Sequence, residues 1–267
     1  MFAEASMGTK QVSSSAGVGL LEIKKDPHAT ADVVMFHHAG GSSFAYANML
    51  RNFQAKVNIY CFELAGRGTR MFEQLRTDGK ETINEVITTL KHHQLGQYRP
   101  LQLFGHSLGA ELVFHVAQAL HNKIDPQSLT VYLSARPLEG APTQSISRRL
   151  QLSDEALIDL ILEYGETPKA LIDDPEMRQY LIDTMRNDLA LLHDLSRLPK
   201  SPLECKAFLV GGEDDPHVEM QSLYLWQRCF EKPLEITTFS GDHFYLFRSA
   251  KFLDWFIQKI MSSDRAN

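Results

Sequence analysis

Gly105-His106-Ser107-Leu108-Gly109 lies between the apolar run Leu101–Phe104 and a helical pattern that begins near Ala110. A G-x-S-x-G segment in that context predicts a very tight strand-to-helix turn. Such a turn forces its central serine into an unfavourable backbone conformation and pushes the hydroxyl clear of the chain. Glycines are required on either side, because side chains there would collide with the neighbouring strand and helix. The helix N-terminus beneath the turn also directs free N–H groups at the serine. A chain built around this turn must have a strand entering it and a helix leaving it, and Ser107 becomes the candidate nucleophile.

The rest of the chain has the same rhythm. Short apolar runs predict buried strands at Val33–His37, Ile59–Leu64, Leu101–Phe104, Leu129–Leu133, Phe208–Val210 and Leu234–Phe239. Stretches with helical period lie between most of them: Ile83, Val86, Ile87 and Leu90; Leu112, Val113, Val116, Ala117 and Leu120; Phe252, Trp255, Phe256 and Ile260. Strands alternating with helices predict an α/β fold, with a mostly parallel central sheet and helices on both faces. The rhythm breaks at 137–202, where only helical patterning occurs. That stretch is expected to be a helical lid inserted into a core formed by 18–136 and 203–267, with residues 1–17 a loose tail. A lid in this position would cover the carboxyl ends of the strands, where open α/β sheets bind ligands.

Composition narrows the function classes. Among 267 residues, 43% are hydrophobic and 22% charged, and the formal net charge is −6. These are ordinary globular proportions, and no basic face is visible for binding nucleic acid. Cys61, Cys205 and Cys229 are too widely spaced for a zinc motif or a disulfide framework, and are expected to be reduced and buried. No apolar run reaches the roughly 18 residues of a membrane helix, and the first residues do not read as a signal segment. A cytoplasmic protein is expected.

A nucleophilic serine needs a base to take its proton and an acid to orient that base. With a turn of this kind the order along the chain is serine, then Asp or Glu, then histidine. Phe208–Val210 runs into Gly211-Gly212-Glu213-Asp214-Asp215-Pro216, which offers a carboxylate just past a strand end. Asp215 is the favoured acid because Pro216 should begin a turn directly after it; Asp214 is the alternative. Leu234–Phe239 runs into Ser240-Gly241-Asp242-His243-Phe244, which places His243 as the base. Asp242 is expected to shape the loop. The Leu108 N–H is the first candidate oxyanion donor. The Ala39 N–H is the second, in the glycine-containing stretch His38-Ala39-Gly40-Gly41 after Val33–His37. That stretch lacks the lysine and spacing of a phosphate loop. The adjoining pairs His37-His38 and His92-His93 lack metal-ligand spacing, so no metal is expected. Composition makes Gly66-Arg67-Gly68 with Arg70 a turn carrying a solvated charge cluster.

These segments together resemble the type II thioesterases of nonribosomal-peptide and polyketide assembly lines, and the related medium-chain thioesterase of fatty-acid synthesis. The resemblance spans Val33 to the C-terminus. It is carried by Phe36-His37-His38-Ala39-Gly40-Gly41-Ser42, Gly66-Arg67-Gly68, the Ser107 pentapeptide, Gly212-Glu213-Asp214-Asp215-Pro216 and Gly241-Asp242-His243-Phe244-Tyr245-Leu246. Glu163-Tyr164-Gly165-Glu166-Thr167-Pro168, Asp174-Pro175-Glu176 and Arg186-Asn187-Asp188 extend it into the lid. The chain departs from the family at Ala65, where proline is usual, at His37, and in its longer N-terminal tail.

The resemblance implies an α/β-hydrolase fold with a helical lid, the catalytic residues Ser107, Asp215 and His243, and oxyanion donors at Ala39 and Leu108. It implies no cofactor of the enzyme's own. The substrate would be an acyl or aminoacyl group on the phosphopantetheine arm of a carrier protein domain. Leu157, Ile161, Leu171, Met185 and Leu189 are candidate walls of an acyl chamber, or else simply pack the lid onto the core. The rival readings are a small-molecule carboxylesterase or lipase, an acyltransferase, and a non-catalytic binding module, which would be expected to lack one of the three residues.

Overall fold

A computed structural model describes residues 19–50, 53–138, 146–165 and 167–262; the expected tail at 1–17 lies outside them. The strands are β1 (Leu20–Lys24), β2 (Ala31–Phe36), β3 (Val57–Phe62), β4 (Leu101–His106), β5 (Leu129–Ser134), β6 (Lys206–Gly212) and β7 (Glu235–Phe239). They form one sheet in the order β1-β3-β2-β4-β5-β6-β7. Only the β1–β3 pair is antiparallel. The arrangement is the α/β-hydrolase fold. The six expected strands are present, their ends differing by at most two residues. No strand was expected at β1: it is a half-buried edge strand with an irregularity between Glu22 and Lys24, and its alternating stretch Leu21-Glu22-Ile23-Lys24 is only four residues long.

The helices are α1 (Ser43–Met49), α2 (Gly79–His92), α3 (Leu108–Leu120), α4 (Ile146–Arg149), α5 (Asp154–Tyr164), α6 (Lys169–Asp173), α7 (Pro175–Arg197), α8 (Met220–Leu223), α9 (Tyr245–Arg248) and α10 (Ala250–Ser262). Alternation along β4 separates the two layers. Phe104 meets Tyr46 of α1 and Phe252 and Phe256 of α10, and Gln102 Nε2 donates to the Ile260 carbonyl at the end of α10. On the opposite face α3 packs on β4 and β5, with α2 alongside.

Helices α4 to α7 form the insertion between β5 and β6. Local chemistry sets their ends. Ser153 caps α5 through the Ala156 N–H, and Gly165 closes it at φ 75°. Asp174 caps α7 through the N–H groups of Glu176 and Met177, and Pro175 supplies the pre-set φ of its first turn. Leu157, Ile158, Leu160, Ile161, Ile172, Ile182, Met185 and Leu189 give the insertion an apolar core of its own. Its two stems meet on one buried carboxylate of α3. Arg136 donates to Glu111 at 2.8 Å and to Ser196 at 2.9 Å, and Lys200 lies 2.7 Å from Glu111.

Because β2, β4, β6 and β7 run parallel, the segments that follow them all emerge at one end of the sheet. Ala39, Ser107, Asp215 and His243 occupy those four segments. Among the described residues no helix is long and apolar enough to cross a membrane.

Candidate active site

Ser107 has φ 54° and ψ −112°, a region that residues with a side chain rarely enter. The chain around it is nearly in contact with itself. A Cβ on Gly105 would sit 2.1 Å from the Gly109 carbonyl oxygen, and one on Gly109 would sit 2.1 Å from that of Phe36. The second contact brings the end of β2, and the Ala39 loop beyond it, against the start of α3. The Ser107 N–H is bound by the Ser134 carbonyl at 2.8 Å, which fixes the turn to β5. Leu108 is the first residue of α3, so its N–H has no acceptor within the helix.

A third close approach joins the segments that carry Asp215 and His243. Asp215 Oδ2 accepts from His243 Nδ1 at 2.7 Å, and its Oδ1 accepts the His217 N–H at 2.8 Å. Both side chains of the pair are buried. With Nδ1 donating to the carboxylate, Nε2 carries the lone pair a base requires. Asp214 points elsewhere: its carboxylate accepts the Gly241 N–H at 3.3 Å and its own N–H donates to the Gly241 carbonyl. Asp242 shapes its loop, accepting from Phe244 N–H and from Arg248. The Ser107 hydroxyl makes no hydrogen bond among the described residues. Its neighbour His106 places its ring 4.8 Å from that of His243, at the same rim of the sheet. Catalytic hydrogen bonds are often loose before substrate binds.

The Ala39 segment is a turn. Gly41 N–H donates to the His38 carbonyl at 3.1 Å, and Gly40 has φ 72°. A positive φ at the third position suits glycine in a type II turn. The His38 carbonyl and the Ala39 N–H share one trans peptide unit, so a carbonyl turned inward leaves the N–H facing outward. Gly40 N–H donates to Asp188 of α7 at 2.7 Å. Asp188 in turn holds Arg67 in a two-pronged pair at 2.5 and 2.7 Å.

The expectation of a solvated cluster at Gly66-Arg67-Gly68 is therefore corrected. Arg67 and Arg70 are only 1% and 3% exposed. Arg70 is bound by Glu73, Glu85 and the Glu63 carbonyl. Burial disfavours the charged form of Arg67, but the Asp188 carboxylate outweighs it and holds the guanidinium pKa above its ordinary value. No local pattern marks this pair, because its members lie 121 positions apart. Charged residues in a glycine turn and on a lid helix ordinarily face water.

A small cleft opens beside the turn, walled by residues that include Ala39, Gly40, Ile161, Tyr164, Leu181 and Met185. Ile161 and Met185 are among the five candidate chamber residues. Leu157 and Leu189 are instead packed within the lid core, and Leu171 is largely at the surface. Tyr164 was an unrecognised contributor: its ring lies 5.1 Å from that of His243 and its hydroxyl accepts from Arg149. His38, another wall of the cleft, is buried against Phe244. Burial, helped by neighbouring positive charge, pulls both His37 and His38 down to about 3. Burial likewise holds His106 well below the usual histidine range. His92 and His93 lie at the surface, against one another. The three cysteines are free and buried. Among the described residues no group of three or more His, Cys, Asp or Glu is placed to hold a metal ion.

The thioesterase domain family model matches residues 31–262. The human medium-chain S-acyl fatty acid synthase thioesterase is 28% identical over 225 residues, covering 83% of each chain. The gramicidin S biosynthesis protein GrsT of Aneurinibacillus migulanus is 26% identical over 212 residues, covering 79% of this chain and 81% of its own. The solved structure of the type II thioesterase BorB, from the borrelidin biosynthetic cluster, superposes with a TM-score of 0.77 at 25% identity, covering 95% of this chain and all of that one. The match takes in every strand from β2 to β7, the lid, and all five candidate site residues, and the chain belongs to the thioesterase domain family.

Proposed function

We propose that this protein is a type II thioesterase that removes acyl or aminoacyl groups from the phosphopantetheine arms of carrier protein domains, clearing stalled or misprimed assembly lines. Such carriers would be its partners, and it would work in the cytoplasm beside its synthase. The carrying observation is the 2.7 Å contact of His243 Nδ1 with Asp215, at the same rim as the strained Ser107 and beneath the lid. Family membership and the similarity to GrsT and the type II thioesterase BorB support the same reading.

Ser107 Oγ attacks the thioester carbonyl while His243 Nε2 takes its proton. Asp215 keeps the imidazole in the required tautomer and stabilises the imidazolium. The developing oxyanion is received by the N–H groups of Leu108 and Ala39, where losing one donor costs about 3 kcal/mol of barrier. The thiol leaves with the proton from His243. With a pKa near ~8.5 it is a far better leaving group than an alkoxide. Water, deprotonated by His243, then attacks the acyl-serine and frees the acid. No resident cofactor or metal enters these steps.

A panel of carrier proteins loaded with different acyl groups, scored by mass for loss of the group, tests the reading. Ser107→Ala should lower kcat by at least ~10³-fold and abolish labelling by a fluorophosphonate. Near-normal turnover in that variant would overturn the site. Faster cleavage of matched oxyesters than of thioesters would favour the carboxylesterase reading.

A further inference from the structure

The buried pair that reaches the oxyanion turn has no part in the mechanism above. Asp188 is wholly buried on α7, and among the described residues its carboxylate accepts hydrogen bonds from two places: the Arg67 guanidinium and the Gly40 N–H. Gly40 N–H belongs to the peptide unit after Ala39, and the His38 carbonyl, held by Gly41 N–H, belongs to the unit before it. Both peptide planes flanking Ala39 are therefore fixed, one within the turn and one from the lid. Met185, one turn earlier on α7, closes over the same glycine: a Cβ on Gly40 would lie 2.9 Å from Met185 Cε. Because its N–H is committed to Asp188, Gly40 is not free to serve as an oxyanion donor. An unneutralised carboxylate one peptide from a developing oxyanion would oppose it, and Arg67 removes that field at contact distance.

We infer that Asp188, neutralised and oriented by Arg67, is a positioning residue that aims the Ala39 N–H, so that the oxyanion hole is complete only while α7 is seated on the turn. The inference rests on the reading of Ser107 as nucleophile and Ala39 as donor. Donor alignment matters at the level of about 0.5 Å, finer than an untethered glycine turn would hold.

The test uses an alkyl trifluoromethyl ketone, whose adduct with Ser107 places an oxyanion in the hole. Two variants are compared with the unmodified enzyme: Asp188→Ala, which removes the acceptor of the Gly40 N–H, and the double variant Arg67→Met with Asp188→Leu, which replaces a buried pair by apolar side chains of similar size. In either variant, assayed below its melting temperature, kcat should fall about 10²-fold with KM changed less than about 3-fold, and ketone affinity should fall in step with kcat. A structural prop alone would lower the melting temperature and leave kcat and ketone affinity unmoved. Either folded variant with kcat and ketone affinity within about 3-fold of the parent would overturn the inference. In the unmodified enzyme, amide NMR should show the Ala39 N–H shifting downfield on ketone addition, with Gly40 N–H slow to exchange throughout. A ketone adduct in which Gly40 exchanges freely would overturn it whatever the variants do. Failure of the ketone to add to Ser107 at all would instead count against the proposed function.

Discussion

Gly212 and Asp242 approach so closely that a Cβ on the glycine would lie 2.3 Å from the Asp242 carbonyl oxygen. That contact sets the spacing between the loop carrying Asp215 and the loop carrying His243. Gly212→Ala must push the loops apart, since the obstacle is backbone that no rotamer change can move. The expected result is a loss of about 1–3 kcal/mol of stability and of at least ~10²-fold in kcat. Thermal melting and thioester turnover check it. A stable variant with normal turnover would show that the two loops do not depend on this contact.

Asp215 and Asp214 adjoin in sequence but do different work. Asp215→Asn keeps the size of the side chain yet favours the wrong histidine tautomer, and kcat should fall about 10⁴-fold. Asp214→Asn retains an oxygen for the Gly241 N–H, so kcat should stay within about 3-fold of the parent. The opposite ranking would exchange their roles.

The strain at Ser107 can be measured apart from its chemistry. Ser107→Ala and Ser107→Gly both remove the hydroxyl and should both be inactive. Glycine alone tolerates φ 54° with ψ −112° at little cost. After allowance for its greater freedom in the unfolded chain, the glycine variant should be about 1 kcal/mol more stable than the alanine variant. Urea melts decide it, and an alanine variant more stable than the glycine variant by glycine's usual ~0.5–1 kcal/mol would mean that the turn stores no such strain.

Much of this site was legible because its parts are local. A strand, a glycine-flanked serine and a helix occupy ten consecutive residues, and both the acid and the base sit directly after apolar runs. The choice between Asp214 and Asp215 was harder, because it depends on which of two adjoining carboxylates faces a loop 28 positions away. Arg67–Asp188 escaped for a stronger form of the same reason: neither partner has a local signature of burial, and only the folded lid brings them together. For Leu157 and Leu189 the choice between chamber wall and lid packing stays open in the sequence, because apolar period marks a buried face without saying what covers it. β1 is harder to read because its alternation is confined to Leu21-Glu22-Ile23-Lys24, the minimum length for a strand signal, next to a glycine- and serine-rich stretch.

Met185 stands where the lid meets the cleft, with its Cε against Gly40. Met185→Ala should lengthen the space available to an acyl chain and shift kcat/KM toward longer or branched substrates by about 10-fold, the range one or two methylenes command in an apolar pocket. The side chain is buried in the lid core as well as bordering the cleft, so the stability loss should fall within the ~2–5 kcal/mol of a packed methionine. A panel of acyl thioesters of graded length is the measurement. An unchanged preference would place the acyl chain elsewhere.

His37 and His38 make folding sensitive to acid. Burial brings each down to about 3, whereas an unfolded histidine titrates near ~6.5. Between those values the unfolded chain binds protons that the folded chain excludes, so stability rises with pH through the window. The contribution is fully present above about pH 6.5 and is lost as pH falls toward about 3, at roughly 1.4 kcal/mol per pH unit for each ring. His38→Phe should halve this share of the slope. The phenyl ring suits a site already lined by Phe244 and Phe247, and the imidazole Nδ1 it replaces has no partner. Urea midpoints taken between pH 7.5 and 5 would show a shallower decline in the variant. An identical decline would mean that His38 accepts its proton as readily in the folded protein as out of it, and that the acid sensitivity arises elsewhere.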